Sequence, residues 1–280
     1  MSVRRPAVAG AFYPSQPDRL RKLIESCFLH ERGPGSLPGE TKDNRDICMV
    51  VCPHAGYIYS GPAASHSYLA LAEQKPPETV IVLGPNHTGW GTPVSMMGEG
   101  YWETPLGKVE LDKEVAKAIF SVSGIIDYDD TAFIREHSVE VQLPFLQYIY
   151  KDFKLVPICM GYQDLDTSIN VGKALFKASK GKNTVIVAST DLTHQETQES
   201  ANRKDHMIIE AILEMNEEKL QRVVRDNRLT TCGYGPVSAA LVASKLSGAK
   251  NAQLLSYYTS GDIIGDYSGV VGYASVKVTF

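Results

Sequence analysis

A chain of 280 residues, 43% hydrophobic and 21% charged, has the composition of a globular protein able to bury a sizeable core. Its net charge of −4, without any run of Lys or Arg, excludes the electrostatic footprint of a nucleic-acid binder. No apolar stretch approaches the roughly 18–20 residues that cross a bilayer, and the apolar run in "MSVRRPAVAGAFYPSQ" is too short for an export signal.

Short apolar runs rich in β-branched residues predict strands over 47–52 ("ICMVVC"), 79–84, 153–160, 184–189, 252–258 and 270–278. Helical spacing fills the intervals. It runs over 61–73 with Pro62 in a first turn, over 112–121 and 166–180 with Asp112 and Asp166 as caps, and over 137–150, 200–216 and 236–248. Residues 31–46 read as a surface loop. Strands that are apolar throughout and alternate with helices predict a largely parallel or mixed sheet covered on both faces. The expected fold is therefore α/β, a single-domain α/β/α sandwich over 1–280.

Five cysteines, Cys27, Cys48, Cys52, Cys159 and Cys232, are an odd number without short repeating spacing. That argues against a disulfide framework and for a reducing, cytoplasmic setting. Parity puts Cys48 and Cys52 on one face of the first core strand, and both read as core, as do Cys27 and Cys159.

Ligands of parallel sheets sit beyond the carboxyl ends of the strands, and three of the predicted strands end alike. "MVVCP" is followed by His54, "TVIVLGPN" by His87, and "TVIVAST" by Asp191 and then His194. Imidazole and carboxylate delivered to one sheet edge suit a divalent transition metal or general acid–base chemistry. Spacing alone does not choose between them. Cys232 in "TTCGYGP" is either inert core or a thiolate ligand and nucleophile. Glu136, His137 and Glu140, at the start of a predicted helix, are a capping arrangement or a second layer holding metal-bound imidazoles or substrate. His30, His66 and His206 lack supporting context and read as structural or surface residues.

The ordered motifs "RRPAVAGAFYP", "PHAGYIYSG", "LGPNHTG", "EHSVEVQLPFL", "STDLTH" and "CGYGP" resemble the Memo family, called AmmeMemoRadiSam system protein B in prokaryotes. The resemblance runs from about residue 4 to the end of the sequence. It implies a fold similar to that of class III extradiol ring-cleavage dioxygenases, which hold non-haem Fe(II) through two histidines and a glutamate. Carried over by motif, it implies a pocket of His54, His87, Asp191, His194 and Cys232. The sequence offers no clear equivalent of the dioxygenase glutamate, and Gln195 stands where relatives often have an aromatic residue. The resemblance further implies radical-SAM and AMMECR1-type proteins as partners.

Three functions remain open on the sequence. The preferred one is a metal-dependent redox enzyme acting on a small molecule. His54, His87 and Cys232 hold Fe(II), with Zn or Cu as alternatives, Asp191 and His194 are catalytic, and Tyr13 and Tyr57 form an aromatic wall. The second is a metal-independent thiol enzyme with Cys232 as nucleophile, His194 as base and Asp191 orienting it. The third is a non-catalytic module that binds a peptide or partner in the same cleft.

Overall fold

Every predicted strand forms. The structure is a computed structural model that describes residues 2–280. It opens with β1 (Val3–Arg4), α1 (Pro17–Leu29), β2 (Ile47–Cys52), α2 (Tyr57–Ala72) and β3 (Thr79–Pro85). Short strands follow: β4 (Val94–Met96), β5 (Tyr101–Thr104) and β6 (Gly107–Glu110), then α3 (Lys113–Ser123) and β7 (Asp127–Tyr128). α4 (Leu143–Ile149), β8 (Lys154–Met160), α5 (Leu165–Ser179), β9 (Thr184–Ser189) and β10 (His194–Glu196) lead to α6 (Gln198–Leu213), α7 (Glu217–Asp226) and α8 (Tyr234–Leu246). β11 (Asn251–Thr259), the single-turn α9 (Gly261–Ile264) and β12 (Val270–Thr279) complete the described chain.

The main sheet runs β12-β2-β9-β3-β8-β4-β7, with β11 on the outer edge of β12 and β10 paired to the start of β12. β2, β9, β3 and β8 are mutually parallel. β12 is antiparallel to β2 and β4 to β8, so the sheet is mixed. A small sheet of β1, β5 and β6 packs beside it. Alternation along β3 divides the interior into two layers. Ile81 and Leu83 meet α3, α5, α6, α7 and α8, whereas Val80 and Val82 meet α1, α2, α4 and the small sheet.

Local chemistry shifts several boundaries. Asp112 caps α3 as expected, accepting the Val115 N–H at 3.0 Å. In α5 the cap is Asp164, which accepts from Thr167 N, and Asp166 falls inside the first turn. The helix expected from 137 begins as a 3-10 turn at Glu140–Gln142, because Glu136 and Ser138 hold the preceding residues in a tight loop.

The helix expected from residue 61 begins four residues earlier, so Pro62 is interior. A proline there removes one helical hydrogen bond and crowds the preceding turn. The Tyr258 hydroxyl enters the opened ladder, accepting from Ala63 N at 3.1 Å and donating to Tyr59 O at 2.6 Å. An inserted side chain of this kind bridges backbone groups that the proline separates.

Cys48 and Cys52 do not share a face. Val278 pairs with Met49 but Thr279 pairs with Ile47, a bulge that adds one residue to β2. The extra residue reverses the alternation. Cys48 points into the layer of α5 and α8, and Cys52 into that of α1 and α2.

Candidate metal centre at the carboxyl ends of the strands

β2, β3 and β9 run parallel, so Pro53–His54, Asn86–His87 and Thr190–Asp191 emerge together at one sheet edge. A turn before α8 adds Cys232 beside them. Gly233 makes this approach possible, because a Cβ there would lie 2.4 Å from Ser189 O and 2.6 Å from Thr190 Cβ. One ligand atom from each of His54, His87 and Cys232 lies within 4.8 Å of the others.

His54 is 1% exposed. Its Nδ1 lies 2.8 Å from Ser189 Oγ, whose own proton goes to Ser138 O at 2.7 Å. Ser189 Oγ also accepts from Gln142 Nε2 at 2.8 Å, so its only remaining role toward His54 is acceptor. Nδ1 of His54 therefore carries the hydrogen, and Nε2 presents a lone pair 3.2 Å from Cys232 Sγ. Burial, and then the neighbouring imidazoles of His137, His87 and His194, hold the His54 pKa well below its ordinary value. The ring is neutral at physiological pH, as a ligand must be.

His87 is fixed in the same tautomer by a different group. Its Nδ1 lies 2.9 Å from Glu136 Oε1, and its backbone N–H donates to Glu136 Oε2 at 2.5 Å. Glu136 is fully buried and also accepts from His137 N and Ser138 N, each at 2.8 Å. Burial alone would raise this carboxyl, but the hydrogen bond and charge of His87 and the backbone amides bring it down to about 2. An ionised acceptor makes His87 Nδ1 the donor and turns Nε2 outward, an orienting device common at metal sites.

Asp191 ties the strand ends together. Its Oδ1 accepts from His54 N at 2.8 Å, its N–H points to Cys232 Sγ at 3.2 Å, and its carbonyl accepts from Thr231 Oγ1 and Cys232 N. Burial raises this carboxyl against the pull of the His54 amide. His194 sits at the edge of the site, with Nδ1 donating to Thr230 O at 3.0 Å and Nε2 without a hydrogen bond among the described residues. Its ring is aimed by a bulge at Gln195, a residue with φ +56°. A left-handed φ costs a non-glycine residue about 1–2 kcal/mol.

The structure separates the remaining sequence candidates. His137 stands against His87 with ring centroids 4.5 Å apart and lies 5.4 Å from His54, so it forms part of the site wall. Burial, with the charge of His87, lowers its pKa to about 4. Glu140 faces away from the histidines. It pairs with Arg4 and accepts from Ala7 N, Val8 N and Tyr13 Oη, which latches the N-terminal segment onto the fold. Tyr13 and Tyr57 are 2% and 1% exposed core residues rather than wall, the Tyr57 hydroxyl ending on Val141 O. The aromatic beside the site is Phe12, 4.8 Å from His137. Phe12, Ser189 and Gln142 escaped the sequence reading, although Ser189 ends the same run that delivers Asp191.

Comparison with known proteins identifies the family. A family model described as Memo-like protein matches residues 4–277. A MEMO1 family protein of Methanopyrus kandleri is 51% identical over 277 residues, 98% of each chain. The chain belongs to the Memo family. Another MEMO1 family protein, from Methanocaldococcus jannaschii, is 50% identical over 285 residues and 99% of both chains, and one from Nitrosopumilus maritimus is 46% identical. Among solved structures, an uncharacterized protein of Escherichia coli K12 superposes with a TM-score of 0.56 at 15% identity, covering 83% of this chain and 99% of its own. That likeness is one of α/β fold.

The donor set fits a metal. Imidazole and thiolate held about 2.1 and 2.3 Å from one ion, at angles near 90–110°, lie roughly 3.1–3.6 Å apart, and the His54–Cys232 separation is 3.2 Å. Two imidazoles with a thiol suit iron, zinc or copper. No helix among the described residues is long and apolar enough to cross a membrane.

Proposed function

We propose that this Memo-family protein is a metal-dependent redox enzyme for a small substrate, with His54 Nε2, His87 Nε2 and Cys232 Sγ as protein ligands and Fe(II) as the favoured ion. One observation carries the reading. Two independent partners, Ser189 and Glu136, fix both imidazoles as the Nδ1–H tautomer, which leaves Nε2 of each free beside one sulfur. Bound there, a ferrous ion would supply Lewis acidity and one-electron chemistry next to open coordination positions. The chain's own residues do the rest. His194 offers an unbonded Nε2 at the edge, able to take or give a substrate proton. Asp191 holds the His54 and Cys232 backbones in register, and Phe12 and His137, with ring planes tilted 56° to one another, give an angled aromatic wall to one side of the site.

The thiol-enzyme reading has less support. The partner of Cys232 is His54, whose other nitrogen meets a serine hydroxyl, and no hydrogen bond joins His194 to Cys232 or Asp191 among the described residues. Burial and the Asp191 charge push the thiol well above its ordinary range, opposite to what an activated nucleophile needs.

The test is metal content by mass spectrometry on protein purified anaerobically without a histidine tag, for wild type and His54→Ala, His87→Ala and Cys232→Ala. Near-stoichiometric metal that falls in each variant supports the assignment. A metal-free wild type that cannot be reconstituted overturns it.

A further inference from the structure

His54 and His87 continue directly from core strands, but Cys232 sits in the turn before α8 and is followed by Gly233 and Gly235. Glycines leave a backbone permissive, whereas a side chain serves as a metal ligand only when held to within about 0.5 Å. The turn therefore needs a restraint from outside itself.

Gln163, in the loop between β8 and α5, reaches the turn with both ends of its amide. Its Nε2 donates to Cys232 O at 2.9 Å, and its Oε1 accepts from Gly235 N at 2.9 Å. The two backbone groups fix which end of the amide is which, since reversing it would set donor against donor and acceptor against acceptor. Oε1 also serves as a helix cap. The cap residue of α8 is Gly233, which has no side chain to accept a first-turn amide, so the acceptor comes from another part of the chain. The approach requires glycine, because a Cβ on Gly235 would lie 2.6 Å from Gln163 Cβ and 2.8 Å from its Cα.

The other bonds on this turn come from one place. Cys232 N–H meets Asp191 O at 3.3 Å, and Gly233 N–H goes to Thr190 Oγ1 at 2.9 Å, both just past the end of β9. A turn tethered to a single strand end can pivot about it, and Gln163 adds the tether on the side of β8. Gln163 is itself anchored. Gln221 Nε2, from α7, donates to Gln163 O at 2.8 Å, and the preceding Gly161 and Tyr162 amides both donate to Pro93 O at 2.9 Å.

We propose that Gln163 is the positioning residue for Cys232, the side chain that decides whether the sulfur joins the two imidazoles on one ion, a role that rests on the metal reading of the centre. It acts on the sulfur through the backbone: the clasp on Cys232 O sets the turn, and the turn sets Sγ beside His54 Nε2. Partners one step removed from a metal commonly govern its affinity in this way.

Cobalt(II) is the probe, because a thiolate on cobalt gives a near-ultraviolet charge-transfer band that imidazole ligands do not. The full chain, stripped of metal by a chelator and kept reduced and anaerobic, is titrated with cobalt(II) alone, and Cys232→Ala supplies the spectrum without sulfur. Gln163→Glu keeps an acceptor for Gly235 N but loses the donor to Cys232 O, so it separates capping from positioning. It should melt like wild type, while the band falls by about half or more and cobalt binds about tenfold or more weakly. Gln163→Met, uncharged and of similar length, should lose the band as well. Wild-type band and affinity in either folded variant overturn the positioning role and leave the metal reading intact. A wild type that takes up no cobalt, or takes it up without the band, removes Cys232 from the ligand set and overturns both.

Discussion

Glu136→Gln probes the centre without touching a ligand. The carboxylate accepts four N–H groups and is fully buried. Glutamine offers one acceptor oxygen. With that oxygen at Oε1, its NH₂ confronts the His87 amide, so a buried donor loses its acceptor. The difference between the ordinary value of 4.5 and about 2 corresponds to about 3 kcal/mol at neutral pH. Because the folded carboxyl titrates below the unfolded one, this contribution is complete above about pH 5 and is lost as pH falls toward 2. For 280 residues, an unfolding entropy of about 2.1 cal/mol/K per residue makes this a fall of about 5 °C in Tm. Metal affinity should fall about 10–100-fold as His87 loses the anion that fixes its tautomer. Guanidinium unfolding at pH 7 and near pH 3 measures the first effect, with the two proteins converging in acid. Competition with a chromophoric chelator measures the second. A Glu136→Gln protein that is destabilised yet binds metal as tightly as wild type refutes the orienting role, and an unchanged acid limb refutes the electrostatic argument.

Gly233→Ala should lose metal with every ligand side chain intact. Its Cβ would collide with Ser189 O at 2.4 Å and force the Cys232 turn off β9; full metal loading would show that this close approach is unimportant. Tyr258→Phe removes the bridge across the Pro62 gap and should cost about 1–3 kcal/mol in denaturant unfolding, whereas a change under about 0.5 kcal/mol would mean that water replaces the hydroxyl. In metal-free protein, iodoacetamide should modify Cys232 more slowly than a free thiol at pH 8, because burial raises its pKa; faster labelling would revive the thiol-enzyme reading.

The core strands were legible because each is an unbroken apolar run between turn residues, the pattern a strand buried on both faces must have. Ile47–Cys52 and Thr184–Ser189 are observed over the predicted residues. Parallel β-strands ending in histidine or aspartate also foretold where His54, His87 and Asp191 would meet. The short strands β4 to β7 were invisible, since runs of two to four residues hold too little periodicity to register. Parity failed at Cys48 because a bulge is a property of two paired strands, and β12 is far away in sequence. The roles of Glu136 and Glu140 were beyond reach for a similar reason. Both are buried acids in one motif, and only the fold shows that one accepts from His87 while the other pairs with Arg4.

The placement of β2 bears on how the protein is made. Both its edges are covered from far downstream, one by β9 at 184–189 and the other by β12 at 270–279. At about 5–20 residues per second of synthesis, "ICMVVC" waits many seconds for either neighbour. Throughout that interval it is an uncharged, β-prone segment with open edges, the kind that seeds aggregation. Production of this protein should therefore respond to chaperone supply and translation speed more than its finished stability suggests, and truncation before β12 should yield insoluble chains rather than a smaller folded protein.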